Sequence, residues 1–390
     1  MKSAWQSKQL GSVCSFLNRG VSPKYVESGG IAVLNQRCVR GHRVSFDAVR
    51  RHDTFAKKVA NEKIVRVGDV LVNSTGTGTL GRVAQLRDEP PEPTTVDSHI
   101  TIVRPEPGLF FQDFFGYMMR DIEDAIKESG EGASGQTELS RTTLAEKFVV
   151  RYPESKEEQR RIVGILDESF EGVATAKVNA ETNLKNARAL FESELGRIFA
   201  AGRQGWTYGT VGDLIDDGTL EPPLDGNHGE IHPKKADFVD IGIPFIMASD
   251  LKDGTVDQEG CSFITRKQAE LLRKGFARDG DVLLSHKGTI GRVAMLYTEH
   301  DFVMLTPQVT YFRISAPEKL LNRFLYYALQ GPGFAGPMGR IAGAGSTRAY
   351  IGITKQRELP IGYPCFEEQV RIADRLDALS EAARQLENIH

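Results

Sequence analysis

The sequence predicts an α+β fold built twice: two tandem α/β modules joined by long helices that form an antiparallel coiled coil, a pseudo-two-fold internal repeat. The first observation behind this is a set of short identities at a nearly fixed offset. Gly68-Asp69-Val70-Leu71 returns as Gly280-Asp281-Val282-Leu283, Gly81-Arg82-Val83-Ala84 as Gly291-Arg292-Val293-Ala294, and Glu157-Glu158-Gln159 as Glu367-Glu368-Gln369. The offsets are 212, 210 and 210 residues, too regular for chance, and both halves open on a tryptophan, Trp5 and Trp206. The second observation is a pair of stretches with apolar residues at helical gaps of three and four, the first far longer than an ordinary globular helix.

In chain order, residues 1–153 form the first module. Val70-Leu71-Val72 and Ile100-Thr101-Ile102-Val103 read as buried strands, with a helix near 111–128. Residues 154–203 form a central helix: from Glu154 to Ala200 there is no proline, and Ile162, Leu166, Phe170, Val173, Ala176, Ala180, Leu184, Ala187, Phe191, Leu195 and Ile198 fall on one stripe. At 1.5 Å per residue it makes a rod of roughly 65–70 Å. Residues 204–365 form the second module, with strands at Val282-Leu283-Leu284 and Val309-Thr310-Tyr311-Phe312 and helices near 266–275 and 318–330. Residues 366–390 repeat the stripe with Ile372, Leu376, Leu379, Ala383, Leu386 and Ile389, over about half the length. Neither helix can hide its stripe alone, so the two should pack on each other, and antiparallel pairing puts the globular parts at opposite ends of a rod.

With 40% hydrophobic and 26% charged residues, the composition is that of a soluble globular protein and excludes collagen-like and disordered classes. No apolar run approaches the ~18 residues of a membrane span. The first residues lack the apolar core of a signal peptide. Cys14, Cys38, Cys261 and Cys365 lie far apart with no C-x-x-C pair, against a structural zinc site or a disulfide scaffold. The expected location is the cytoplasm.

The net charge of −3 hides two blocks: residues 1–87 hold 15 basic against 5 acidic side chains, and residues 88–153 hold 6 against 13. Within 36–66, nine Lys and Arg face three acids. Such a stretch is either a solvated face with some ion pairs or a surface for a polyanion.

The motifs for catalysis fail on context. Gly76-Thr77-Gly78-Thr79-Leu80-Gly81 matches G-x-G-x-x-G, with Asp97 sixteen residues beyond, but the segment that follows reads as a strand and not as the helix a dinucleotide needs. Its counterpart, Ser285-His286-Lys287-Gly288-Thr289-Ile290-Gly291, lacks the first glycine and is shorter by two. There is no H-E-x-x-H, G-x-S-x-G or P-loop, and His42 and His52 sit in the basic stretch without metal-ligand spacing. The Asp/Asn-Pro-Pro-Tyr/Phe tetrapeptide of adenine methyltransferases is absent, the proline pairs being Glu89-Pro90-Pro91-Glu92 and Glu221-Pro222-Pro223-Leu224. No catalytic residue and no metal ligand is therefore expected. What remains is a polar turn between two strands of each module, where the flanking strands agree and the tip differs, as two modules reading different sequences would require.

With those residues in view, the chain resembles the specificity (S) subunit of a type I restriction-modification enzyme. Gly242-Ile243-Pro244-Phe245-Ile246, then Asp250-Leu251 and Gly254, resemble the opening of that family's target-recognition domain; Gly280 to Leu283 and Gly288 to Arg292 resemble its middle; Gln308, Gly345-Ser346-Thr347, Leu359-Pro360-Ile361 and Glu368-Gln369 resemble its close. The first module matches more loosely: Gly30-Ile31-Ala32-Val33 lacks the proline, and Gln136-Thr137 stands for Ser-Thr. The order of these motifs, repeated twice around a long helix, is what makes the likeness specific.

The resemblance implies a non-catalytic DNA-recognition subunit. Each target-recognition domain would grip one half of a bipartite double-stranded DNA site, with the helices as a ruler between them. It also implies two methylation (M) subunits that carry S-adenosylmethionine and perform DNA methylation, and restriction (R) subunits for cleavage and translocation. The side chains expected at DNA are Arg37, Arg40 and Arg43; Asn73, Ser74, Thr75 and Thr77 with Gln136 and Thr137; and Ser285, His286, Lys287 and Thr289 with Ser346, Thr347 and Arg348. Arg82 and Arg292 are read either as ion-paired braces of the hairpin or as phosphate contacts, and Asp69 and Asp281 as turn-formers. Two other readings stay open: a stand-alone DNA methyltransferase, which would bind S-adenosylmethionine by itself, and a rod-like protein-interaction scaffold that never touches DNA.

Overall fold

The structure, a computed structural model, describes residues 4–129, 138–200, 203–228, 231–343 and 349–389. The chain divides into two compact units, residues 1–175 and 176–390. The division falls inside the long helix and not at either of its ends. The helix starts as a wall of the first unit: Val163, Ile162 and Leu166 pack into the core built on Leu10, Val70, Val103 and Phe115.

In the first unit, the β-branched run Val70–Asn73 is wholly buried and occupies the middle of an antiparallel sheet, between Ile100–Pro105 and Val83–Gln85, with Cys14–Arg19 at one edge. Val70 faces Gln85 and Val72 faces Val83 across the hairpin. A second sheet sets Thr94–Val96 parallel to Ile31–Leu34, flanked by Arg50–His52 and Tyr25–Val26. Helices Gln112–Asp121 and Glu123–Glu128 close the core with Phe114, Phe115, Met118, Met119 and Ile126.

The second unit repeats this register. Val282–Ser285 lies between Val309–Phe312 and Val293–Met295, Val282 facing Met295 and Leu284 facing Val293. Val303–Leu305 runs parallel to Ile243–Ile246. Helices Asn322–Gln330 and Pro332–Ala342 cover the sheet. The two tryptophans do not correspond. Trp5 opens its strand opposite Pro153, whereas Trp206 precedes its strand, leaves Thr207 opposite Tyr363, and packs on Phe199 and Phe324.

Three polar side-chain contacts occur twice. Gln159, the fourth residue of helix Lys156–Ile198, accepts from the Phe111 amide at 2.7 Å and donates to the Pro153 carbonyl. Gln369, the fourth residue of helix Phe366–Ile389, accepts from Leu321 at 2.9 Å and donates to Pro364 and Lys319. Asp69 pairs with Arg104 at 2.7 Å and Asp281 with Arg313 at 2.8 Å. Tyr117 donates to Asp167, and Tyr327 to Asp377.

Within the second unit the C-terminal helix runs antiparallel to the central one. Arg188 meets Glu387, and six residues along Glu194 meets Arg375, both at 2.6 Å, while Leu195, Ile198, Ile372 and Leu376 share the core. The stripe is only partly covered. Val173 is 68% exposed and Val178 60%, beyond the span paired with the shorter helix.

Candidate nucleic-acid interface

The hairpin turn is where polar side chains gather at the end of each buried sheet. Its backbone is the same twice. The Asn73 amide bonds the Arg82 carbonyl and the Gly81 amide bonds the Asn73 carbonyl; Ser285 does the same with Arg292 and Gly291. Gly81 and Gly291 turn at φ of 82° and 84°, and a Cβ on Gly81 would stand 2.8 Å from the Lys127 backbone nitrogen. Gly76-Thr77-Gly78 to Gly81 leads into the strand Val83–Gln85 and opens no helix, as the sequence reading expects.

A second segment meets each turn. Thr75 bridges to Glu138, and Lys287 to Tyr350. The amides of Leu139 and Ile351 donate to the Ser74 and His286 carbonyls. Glu138 directly follows Gln136 and Thr137 in sequence, and Tyr350 closely follows Ser346, Thr347 and Arg348; those five residues lie outside the described residues.

In the first module Gln36 donates to the Thr75 hydroxyl at 2.8 Å and Thr75 meets His99 Nδ1 at 2.8 Å, while Arg37, next to Gln36 in sequence, and Thr77 are exposed. In the second module Lys287 and Thr289 are exposed at the tip. The expectation that every polar turn residue reaches DNA needs correction. Asn73, Ser74, Ser285 and His286 are fully buried and cannot touch a base edge in this conformation. Asn73 donates to the Gln36 carbonyl, Ser74 shares a 2.6 Å hydrogen bond with Thr101, and Ser285 Oγ accepts from the Arg292 amide. Arg40 and Arg43 are exposed and stand opposite one another in a separate hairpin, Val39–Arg40 with Arg43–Val44, which packs through Val39 and Val44 near the strands flanking the turn.

Arg82 and Arg292 act as braces. Their guanidiniums donate to the Gly78 and Ala248 carbonyls, not to an acid. Asp69 and Asp281 accept from the Arg66 and Arg278 amides, the turn-forming role, and in addition each holds a buried arginine. The sequence reading missed those arginines, although Arg104 and Arg313 each sit at the end of the repeated strand at an offset of 209.

His286 is the main electrostatic difference. Its Nδ1 bonds the Ile351 carbonyl at 3.0 Å, while Nε2 has no hydrogen-bond partner and lies 3.9 Å from Asp225. Burial pulls the imidazole below its ordinary pKa of 6.5, outweighing the opposite pull of the Ile351 carbonyl and Asp225. Asp225 is itself buried between His228, at 2.9 Å, and Lys274. Burial also pushes the Cys14 thiol up to about 12 and Cys261 to about 11, values that make neither a thiolate nucleophile. Among the described residues no group of three or more His, Cys, Asp or Glu could hold a metal, and no helix is long and apolar enough to cross a membrane.

Comparison with known proteins agrees with this geometry. Residues 205–390 match the model of the type I restriction modification DNA specificity domain. No curated protein matches the chain. Among solved structures, the HsdS subunit from Thermoanaerobacter tengcongensis is similar at 18% identity and a TM-score of 0.68, over 99% of this chain and 91% of that one. A chain from a study of complex assembly and conformational transition of the type I R-M system is similar at 17% identity and a TM-score of 0.68, over 100% of this chain and 96% of that one.

Proposed function

We propose that the whole chain is a two-headed DNA specificity subunit, a reading supported by the match of residues 205–390 to the type I restriction modification DNA specificity domain. The observation that carries it is the duplicated turn: one backbone hydrogen-bond geometry leaves Thr77 exposed in one module and Lys287 with Thr289 in the other. A constant scaffold with different exposed donors is what reading two half-sites requires. The chain is not an enzyme. Methyl transfer falls to two M subunits that bring S-adenosylmethionine, cleavage to R subunits, and the assembly works on double-stranded DNA in the cytoplasm.

The test is modular. In the complex with M subunits, Lys287→Ala with Thr289→Ala should relax one half-site only, at a cost of roughly 1–3 kcal/mol if a base contact is lost. Arg37→Ala with Thr77→Ala should act on the other half alone. Mapping methylated adenines genome-wide for each variant reads the outcome, and variants that change both halves together would overturn the two-reader model. The chain by itself should bind duplex DNA with a log–log salt slope on the order of −4 to −8, and a flat response would remove the DNA reading. S-adenosylmethionine bound by the chain alone would favour a methyltransferase instead.

A further inference from the structure

Phe55, just beyond strand Arg50–His52, is 99% exposed, more than any other large apolar side chain among the described residues. The turn that carries it is locked at both ends. His52 is fully buried: its Nδ1 accepts from the Lys24 amide and its Nε2 donates to the Lys57 carbonyl, both at 2.8 Å. Between those anchors the Asp53 carboxylate accepts from the Phe55 and Ala56 amides at 2.8 and 3.2 Å, an Asx turn that fixes the backbone under the ring. Cations gather at this turn. Lys24, Arg50, Lys57 and Lys58 are exposed, and among the described residues none has a carboxylate within ion-pair distance; Arg51, by contrast, holds Glu92. Arg50 lies over the Tyr25 ring, 3.3 Å from its centre, on the strand that pairs with His52.

The second module shows the same turn without the ring. His52 faces Ile31 as Ile264 faces Ile243, and the glycines before those partners, Gly30 and Gly242, lie so close to the His52 and Ile264 carbonyls that neither could carry a Cβ. The position three residues on is therefore Phe55 in one module and Lys267, inside helix Arg266–Glu270, in the other.

We propose that Phe55 is a wedge for duplex DNA, entering the minor groove beside the bases read by the first module and unstacking one base step there. A protein hot spot sits in an apolar surround poor in lysine, whereas the chain neighbours of Phe55 are Thr54, Ala56 and two lysines. An apolar ring rimmed by unpaired cations is what a minor-groove wedge requires: the cations hold phosphates while the ring replaces a stacked neighbour. The spacing fits. From Ile31, opposite His52, to Gln36, bonded to Thr75 of the hairpin turn, an extended chain covers roughly 16 Å. That is about half the ~34 Å helical turn of B-DNA, the offset between the two grooves along one side of a duplex. The inference rests on the DNA reading of the first module but on none of its turn residues.

The experiment uses the full chain and two short duplexes of mixed sequence, labelled at both ends, one fully paired and one with a single T·T mismatch. Wild type should bind the mismatched duplex about tenfold more tightly, because part of the unstacking is already done, and should shorten the end-to-end distance read by energy transfer. Phe55→Ala, whose fold is safe because the ring is exposed, should bind both duplexes alike and leave them straight. Phe55→Leu keeps an apolar wedge and should retain most of the preference. Phe55→Lys, the second module's residue, should hold the duplex through phosphates without bending it. If the chain binds neither duplex, the DNA reading falls and the wedge with it. If Phe55→Ala matches wild type in both preference and bend, the wedge alone is overturned. A bend unchanged in Phe55→Ala with weaker assembly onto M subunits would also overturn it, and would make the ring a protein anchor.

Discussion

The two modules agree where nothing can be seen from outside and disagree one layer beneath the turn. Both capture the first turn of a long helix with a buried glutamine, both bury an aspartate–arginine pair beside the repeated Gly-Asp, and both tie a tyrosine to a helix aspartate. Yet the position under the tip is a serine bonded to Thr101 in one and an imidazole facing Asp225 in the other. The repeated scaffold is therefore held by a few polar contacts, of which the buried ones rest on Gln159, Gln369, Asp69 and Asp281. Such contacts are costly to leave unmade, which is why they hold the scaffold still while the turn changes.

The likeness is tested hardest at the ion pairs. Asp69→Ala leaves the Arg104 guanidinium with only the Glu62 and Ile64 carbonyls and should destabilise the first unit by about 3 kcal/mol in denaturant unfolding. Asp281→Ala should cost less, because Arg313 keeps Glu221 at 3.2 Å. An equal or larger loss in the second unit would mean that Glu221 contributes nothing. Gln159→Leu and Gln369→Leu come next, each leaving a buried amide and carbonyls unpaired at a cost of about 1–3 kcal/mol. Hydrogen exchange at the Phe111 and Leu321 amides would report it directly, and unchanged protection at either would show that the glutamines are not locks.

The smallest effect sharpens the difference under the turn. A histidine held below its ordinary pKa binds fewer protons folded than unfolded, so its contribution to stability is complete above about 6.5 and is lost as pH falls below that value. His286→Ser, which copies Ser74, should flatten the decline of the second unit's unfolding midpoint between pH 7.5 and 5.5. If wild type and variant decline in parallel, the buried imidazole is not the source.

Much of this architecture is legible in the sequence because it rests on short-range patterns. Val70-Leu71-Val72 and the stripe from Ile162 to Ile198 declare their periods without help from tertiary context. Depth was harder to read. Asn73, Ser74, Ser285 and His286 are polar, and polarity in a turn reads as exposure; here each finds a partner inside, or in the case of His286 Nε2 none. Helix Pro332–Ala342 was hidden for the opposite reason. Pro337 and three glycines argue against a helix, yet Gly331 at its N-cap is needed where a Cβ would come 2.4 Å from Phe199, so packing overrides propensity. The helical stripe that begins after residue 153 does not itself tell that Val163 and Leu166 pack with the first module's core.

The placement of the core residues sets an order of assembly during synthesis. The first unit's main apolar cluster draws on residues from Leu10 to Leu166, all made before the second unit begins, so this unit can close while the ribosome is still at work. The second unit's cluster takes Leu195, Ile198 and Phe199 from one helix and Ile372 and Leu376 from another, with its strands and Tyr327 between them in sequence. Until the last helix emerges, that cluster lacks a wall, and its apolar strands wait with one side wet. The second unit is thus the half of the nascent chain whose core closes last.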